Sequence, residues 1–125
     1  MWVNCLAVGM GGFCGAVFRY LLGFIPGYYY LDFPLGTMLI NLAGAFCIGM
    51  LAGLIPAGLL SSQQQLFLKT GLCGGFTTFS TFSLETLNLL EQGHLLEAGS
   101  YVFCSVVLCV IGVFFGKLLA MRLFV

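Results

Sequence analysis

The chain has 125 residues, of which 61% are hydrophobic and 6% charged, and its four basic and four acidic side chains give a formal net charge of zero. A water-soluble domain carries roughly a quarter charged residues, so this composition excludes a soluble fold and indicates a membrane protein. A chain without excess positive charge cannot neutralise phosphates, which argues against a nucleic-acid partner.

The length fits one membrane domain. At about 20 residues per spanning helix, four helices and short loops account for the sequence, so we predict a single all-α transmembrane domain over residues 1–125. Four helices enclose little interior, and a working site is therefore expected to need a partner subunit. Neither a basic leader nor a small-residue cleavage site marks the first segment, so we expect it to remain as a helix.

The six cysteines all lie in apolar stretches, without a CxxC pair or a cluster with histidine. We interpret them as small hydrophobic residues rather than as disulfide partners or metal ligands. They are Cys5, Cys14, Cys47, Cys73, Cys104 and Cys109.

The first predicted span covers residues 2–24, and Gly11 and Gly15 form a GxxxG pair in it. Small residues at this spacing let helices approach closely in lipid, so we predict a packing face. Arg19 lies near the end of the span. Its side chain either extends to the headgroups or lines a vestibule that attracts anions, and both interpretations stay open.

A loop follows at residues 25–34, where Pro26 and Gly27 end the helix and three tyrosines suit the membrane interface. The second span is predicted over residues 35–59, with a row of small residues at spacing four (Ala45, Gly49 and Gly53). Asn41 is its only strongly polar side chain. It acts either as a clasp between helices or as a site residue.

A short uncharged loop at residues 61–65 precedes the third predicted span, residues 66–90, and the fourth span covers residues 98–119. Along the fourth span, five residues recur at intervals of four with one step of three, which places them on one side of a helix. They are Tyr101, Ser105, Cys109, Gly112 and Gly116.

Basic residues give only a weak orientation signal. Lys69, Lys117 and Arg122 fall on one side of the membrane and Arg19 on the other. The positive-inside rule needs a larger asymmetry, so no firm orientation is predicted.

The third span contains the most unusual stretch, TGLCGGFTTFSTFSLE at residues 70–85. A polar run at membrane depth is expected only where it is buried in protein or lines a cavity. Gly74 and Gly75 weaken a helix, and the hydroxyls of Thr77 and Thr78 compete for backbone carbonyls. We therefore predict a helix break within residues 74–78, where freed carbonyls become candidates to bind a small cation.

Beyond the break, Phe79 and Phe82 stand three residues apart on one helix face, beside a row of Thr77, Thr81 and Glu85 at spacing four. A phenyl ring is positive at its edge, so ring edges, hydroxyls and the Asn41 amide together suit a small anion. Simple helix packing also explains the pattern. The residues alone do not distinguish fluoride, chloride or a small cation.

GGFTTFSTFSLE at residues 74–85 resembles the signature of the Fluc (CrcB) family of fluoride channels. GAVFRY at residues 15–20, PLGTMLINLAG at residues 34–44 and the helix with Tyr101 are similar too. The resemblance implies a channel that exports fluoride passively across the plasma membrane. It also implies an antiparallel, dual-topology homodimer with two pores, each built from both subunits.

The resemblance further implies roles for individual residues. The ring edges of Phe79 and Phe82 and the amide of Asn41 would meet the ion, and Arg19 would line the vestibule. The polar track would consist of Ser80, Thr81, Glu85, Tyr101 and Ser105.

A structural sodium ion is also implied at the dimer interface, held by the backbone carbonyls of Gly74 and Thr77, with Gly75 and Thr78 as the alternative pair.

Two other functions compete with this interpretation. A small four-helix drug exporter would couple to protons through an acid in its first helix, which has none here, so only Glu85 could serve. A scaffold subunit would carry no ion flux. An enzyme is not expected, because the sequence suggests no nucleophile and base pair and the single histidine, His94, falls in a loop.

Overall fold

The computed structural model describes residues 1–25 and 33–124, and the predicted loop of Pro26, Gly27, the three tyrosines and Asp32 lies outside these ranges. The regular elements described are all helices. They are α1 (Trp2–Leu22), α2 (Leu35–Leu54), α3 (Ser62–Gln65), a π-helix (Leu66–Cys73), α4 (Gly74–Phe76), α5 (Phe79–Glu91) and α6 (Leu95–Phe124).

Among the described residues, three helices are long and apolar enough to cross a membrane: α1, α2 and α6. The chain is therefore a multi-pass membrane protein. The third predicted span is also helical, but it is divided among α3, the π-helix, α4 and α5. Because of this division, none of its pieces reaches spanning length alone.

The prediction of a loop at residues 61–65 was wrong, because a capping box starts helix α3 there. The Ser61 hydroxyl accepts a hydrogen bond from the Gln64 backbone N–H at 3.3 Å, and the Gln64 side chain accepts one from the Ser61 N–H at 2.8 Å. This reciprocal pair satisfies two backbone donors at a helix start.

Other helix ends also differ from their predicted positions. Helix α2 ends at Leu54 rather than residue 59, shortly before Pro56, which has no N–H to continue a helix. Helix α5 ends near Gly93, whose φ of 83° suits glycine, and the His94 N–H then donates to the Leu89 carbonyl. Helix α6 begins earlier than predicted, at Leu95, and its 30 residues reach Phe124.

Helix α1 packs against the π-helix through direct backbone contact. A Cβ atom at Gly11 would overlap the Phe67 carbonyl oxygen, and one at Gly15 would overlap that of Leu72. From the other side, a Cβ at Gly75 would overlap the Gly12 carbonyl oxygen. The GxxxG prediction of a packing face in the first span is thereby confirmed.

Helices α2 and α6 form the second close pair. A Cβ atom at Gly49 would overlap the Val113 carbonyl oxygen, and one at Gly116 would overlap that of Phe46. Residue numbers rise together along the two helices, so they run parallel, as alternate spans of a bundle do. The predicted small-residue rows of the second and fourth spans therefore face each other.

The two ends of the described molecule carry different charges. We define the Arg19 end as the one where α1 and α5 end and α2 and α6 begin, and the Lys117 end as the opposite one. The exposed carboxylates Glu91 and Glu97 lie at the Arg19 end. The exposed cations of the third and fourth spans lie toward the Lys117 end; they are Lys69, Lys117 and Arg122.

Candidate ion pathway

The third span breaks at two threonines. Thr77 (φ −77°, ψ 158°) and Thr78 (φ −148°, ψ 113°) are extended, between the end of α4 at Phe76 and the start of α5 at Phe79. The Thr77 hydroxyl donates to the Cys73 carbonyl at 2.9 Å, and the Thr78 hydroxyl accepts from the Thr81 N–H at 3.2 Å and caps α5. The predicted break is confirmed. Because Thr77 precedes the new helix, it does not continue the row of Thr81 and Glu85.

Asn41 of α2 holds the break with both ends of its amide. Its Nδ2 donates to the Thr78 carbonyl at 3.1 Å, and its Oδ1 accepts from the Thr78 N–H at 2.8 Å. These bonds satisfy two backbone groups that no longer have helical partners. The clasp interpretation of Asn41 is confirmed, while its contact with an ion stays a prediction.

Toward the Arg19 end, Glu85 sits in a buried cluster and is 8% exposed. The Thr37 hydroxyl donates to its Oε1 at 2.9 Å, and the Tyr101 hydroxyl donates to its Oε2 at 2.7 Å. Both oxygens of the Glu85 side chain thus accept hydrogen bonds, which fix its orientation. Sequence reasoning missed Thr37, although it lies four residues before Asn41, on the same face of α2.

The two predicted pathway phenylalanines have different surroundings. Phe82 is 9% exposed, and its ring centroid lies 5.1 Å from that of Tyr101. Phe79 is 78% exposed, although its ring centroid is only 5.4 Å from that of Phe82. The aromatic group therefore runs from the buried cluster to the open side of the chain.

A cavity of about 360 Å³ lies beside the break. Its lining residues carry no charge: Asn41, Ala45, Ile48, Thr77, Thr78, Phe79, Phe82, Ser105, Val106 and Cys109. Ser105 is 5% exposed, and its hydroxyl has no hydrogen-bond partner among the described residues. A buried hydroxyl without a partner is costly in a folded protein unless something else occupies that place.

The other predicted site residues lie outside this cavity. The hydroxyls of Ser80 and Thr81 lie 3.3 and 3.0 Å from the Thr78 hydroxyl, at the start of α5. Arg19 is half-buried in the last turn of α1. Their roles toward an ion stay predictions.

The structure thus brings Asn41, Phe79, Phe82 and Ser105 to one cavity, and Glu85 and Tyr101 to the neighbouring cluster.

Comparison with known sequences adds independent evidence. Residues 6–117 match the family model described as "CrcB-like protein, Camphor Resistance (CrcB)". A protein of Methanocaldococcus jannaschii named "Fluoride-specific ion channel FluC" is 43% identical over 120 residues, which cover 95% of each chain. A protein of Pyrococcus furiosus with the same name is 47% identical over 115 residues, covering 90% of this chain and 92% of its own. Since the match extends over nearly the whole length, this chain belongs to the CrcB-like protein family.

Proposed function

We propose that this protein is a channel through which fluoride leaves the cell passively, selective against chloride. The relatives reported above are named fluoride-specific ion channels, which supports transport rather than catalysis. The observation that carries the proposal is the uncharged cavity at the helix break, into which the buried Ser105 hydroxyl brings an unused hydrogen-bonding group.

The energetic problem for such a channel is dehydration. A bare ion in a medium of dielectric constant about 4 costs tens of kcal/mol relative to water, so the pathway must replace most of the hydration shell. The Ser105 O–H, the second N–H of the Asn41 amide and the ring edges of Phe79 and Phe82 are the donors that the cavity offers. Neutral donors bind weakly enough for the ion to leave again, as conduction requires.

Toward the Arg19 end, the proposed path continues along α5 and α6. Ser80 and Thr81 offer hydroxyls, and Glu85 and Tyr101 form the polar cluster beyond Phe82. The Thr37 and Tyr101 hydroxyls each donate to one oxygen of Glu85, which keeps its side chain in this cluster beside the path. Arg19 lies in the last turn of α1 at this same end of the molecule, where its positive charge raises the local anion concentration.

A single chain leaves the proposed path incomplete. Phe79 is 78% exposed, and Ser80 and Ser83 are exposed on α5, where the lone pairs that their hydroxyls leave unused would face hydrocarbon. We infer that a second copy covers this face. By symmetry each copy does the same for the other, which gives a homodimer with two pathways.

The charge distribution favours an antiparallel pair of copies. In a parallel pair, the cationic Lys117 ends would adjoin each other, as would the Arg19 ends with Glu91 and Glu97. In an antiparallel pair, the Arg19 end of one copy lies beside the Lys117 end of the other at each face of the membrane. Attraction between opposite charges then supports this arrangement, and it requires the chain to insert in both orientations.

A structural sodium ion is proposed between the two copies, with backbone carbonyls as ligands. Gly74 is exposed, and no atom lies within 4 Å of a Cβ built on it, so a second copy can approach there. Of the two candidate pairs, Gly74 and Thr77 suit the ion better. Gly75 is packed against Gly12 of α1, and the Thr78 carbonyl already accepts from Asn41. Neutral oxygen ligands from both copies suit a hard cation.

The direct test is ion efflux from liposomes that contain the purified protein, followed with a fluoride electrode and, in parallel, a chloride electrode. We expect rapid fluoride efflux and little chloride efflux. Phe79→Ile and Phe82→Ile should suppress fluoride efflux while the protein still assembles. Phe114→Ile, which alters an exposed ring of α6 away from the cavity, is the matched control.

Three results would count against parts of the proposal. If the vesicles retain their fluoride, the protein does not conduct, and the scaffold interpretation is favoured instead. Equal efflux of fluoride and chloride would contradict the proposed selectivity. Normal efflux in both phenylalanine variants would refute the role of the ring edges.

A further inference from the structure

Cys109 is the one cysteine among the lining residues of the cavity. It follows Ser105 by four residues on α6, so the two side chains are neighbours on one helix face. Cys104 lies on the same helix and is half-buried like Cys109, but it does not line the cavity. Cys104 therefore serves as a control for a thiol of similar burial on the same helix that lies outside the cavity.

The chemistry of this pair differs from that of the rest of the cavity. A thiol sulfur is a soft ligand that favours soft metal ions, such as Cu(I), over sodium or magnesium. The neighbouring Ser105 oxygen has two lone pairs and no partner among the described residues, so it can support a metal ion held by the sulfur. Asn41 is less suited to be the second metal ligand, because its side-chain oxygen already accepts a hydrogen bond from the Thr78 N–H.

We propose that Cys109, supported by Ser105, binds a soft monovalent cation of the silver or cuprous type, and that the bound ion blocks the fluoride pathway. In the binding step the S–H bond breaks, a metal–sulfur bond forms and the proton passes to water, with no change in oxidation state. The metal then occupies the space beside the Ser105 hydroxyl and withdraws that donor from fluoride. The blocking effect rests on the proposed function, whereas the binding does not.

The experiment uses liposomes with the full chain in chloride-free nitrate buffer, since silver chloride is insoluble and silver fluoride is soluble. Fluoride efflux is measured with and without micromolar silver nitrate, and each variant is compared with its own rate before silver. We expect the unmodified protein to lose about tenfold in rate, because the bound metal ion withdraws the Ser105 donor from fluoride and occupies the space beside it. Cys109→Ser should retain its own rate, and Cys104→Ala should be blocked like the unmodified protein.

Equal silver block in Cys109→Ser and the unmodified protein would overturn the proposal, and so would an unmodified protein that silver does not block. Native mass spectrometry gives a second readout, in which Cys109→Ser should bind one silver ion fewer per chain than the unmodified protein. An equal number would refute the site. If the protein shows no fluoride efflux before silver is added, the proposed function fails, and the mass measurement still tests the binding.

Discussion

The clasp between Asn41 and Thr78 is the feature whose removal has the most specific consequences. Asn41→Ala deletes both hydrogen bonds, of 3.1 and 2.8 Å, and leaves the Thr78 N–H and carbonyl at the helix break. Each unsatisfied buried group costs about 1–3 kcal/mol, which gives roughly 2–6 kcal/mol for the pair. Hydrogen bonds measured in membrane proteins average nearer 0.6 kcal/mol. Because the clasp adjoins a cavity that can admit water, we expect the lower range, about 1–3 kcal/mol.

The assay is the free energy of unfolding in mixed micelles, titrated with a denaturing detergent. Asn88→Ala is the matched control, since Asn88 is exposed on α5 and should change stability little. An Asn41→Ala protein as stable as the control would refute the clasp as a source of stability.

Asn41→Asp separates the clasp from the proposed contact with the ion. The carboxylate retains an acceptor for the Thr78 N–H, loses the donor to the Thr78 carbonyl and adds negative charge to the cavity wall. We expect fluoride efflux to fall strongly even where the protein still assembles, because the charge repels an anion. If fluoride efflux from the Asn41→Asp protein is undiminished, Asn41 does not line the ion pathway.

Three further predictions follow. Glu85→Gln should leave passive fluoride efflux measurable, whereas a proton-coupled exporter dependent on Glu85 would lose transport; complete loss of efflux would favour the exporter. Gly15→Val should destabilise the protein by about 1–3 kcal/mol or prevent folding, because the side chain would overlap the Leu72 carbonyl, while Gly9→Val, with nothing within 4 Å of its Cβ, should have little effect in the same unfolding assay. Replacing sodium by a larger cation should change activity only slowly if sodium is structural, and a current carried by sodium would contradict that role.

The helix break could be predicted because it has local causes. Gly74 and Gly75 weaken the helix, and the hydroxyls of Thr77 and Thr78 bind nearby backbone groups as expected. The start of α3 also had a local signal that was overlooked, since Ser61 and Gln64 match the capping-box spacing.

Other parts of the site depend on distant contacts. Thr37 and Glu85 are 48 residues apart, and their hydrogen bond exists only because α2 packs beside α5. The different exposure of Phe79 and Phe82 likewise depends on the position of Tyr101 on α6. Periodicity places residues on a face of a helix but does not say which neighbour that face meets. The π-helix had no signal that sequence patterns reveal.

The glycine contact between α1 and the π-helix links the lipid to the break. Most of α1 is exposed in the single chain, whereas Gly11 and Gly15 bring its backbone directly onto the backbone of the π-helix. At Gly11 and Gly15 no side chain separates the two backbones, so none can absorb a small displacement there by changing rotamer. We therefore expect a change in bilayer thickness that tilts α1 to displace the helix break at Thr77 and Thr78, so that the conductance of this protein varies with the length of the lipid acyl chains.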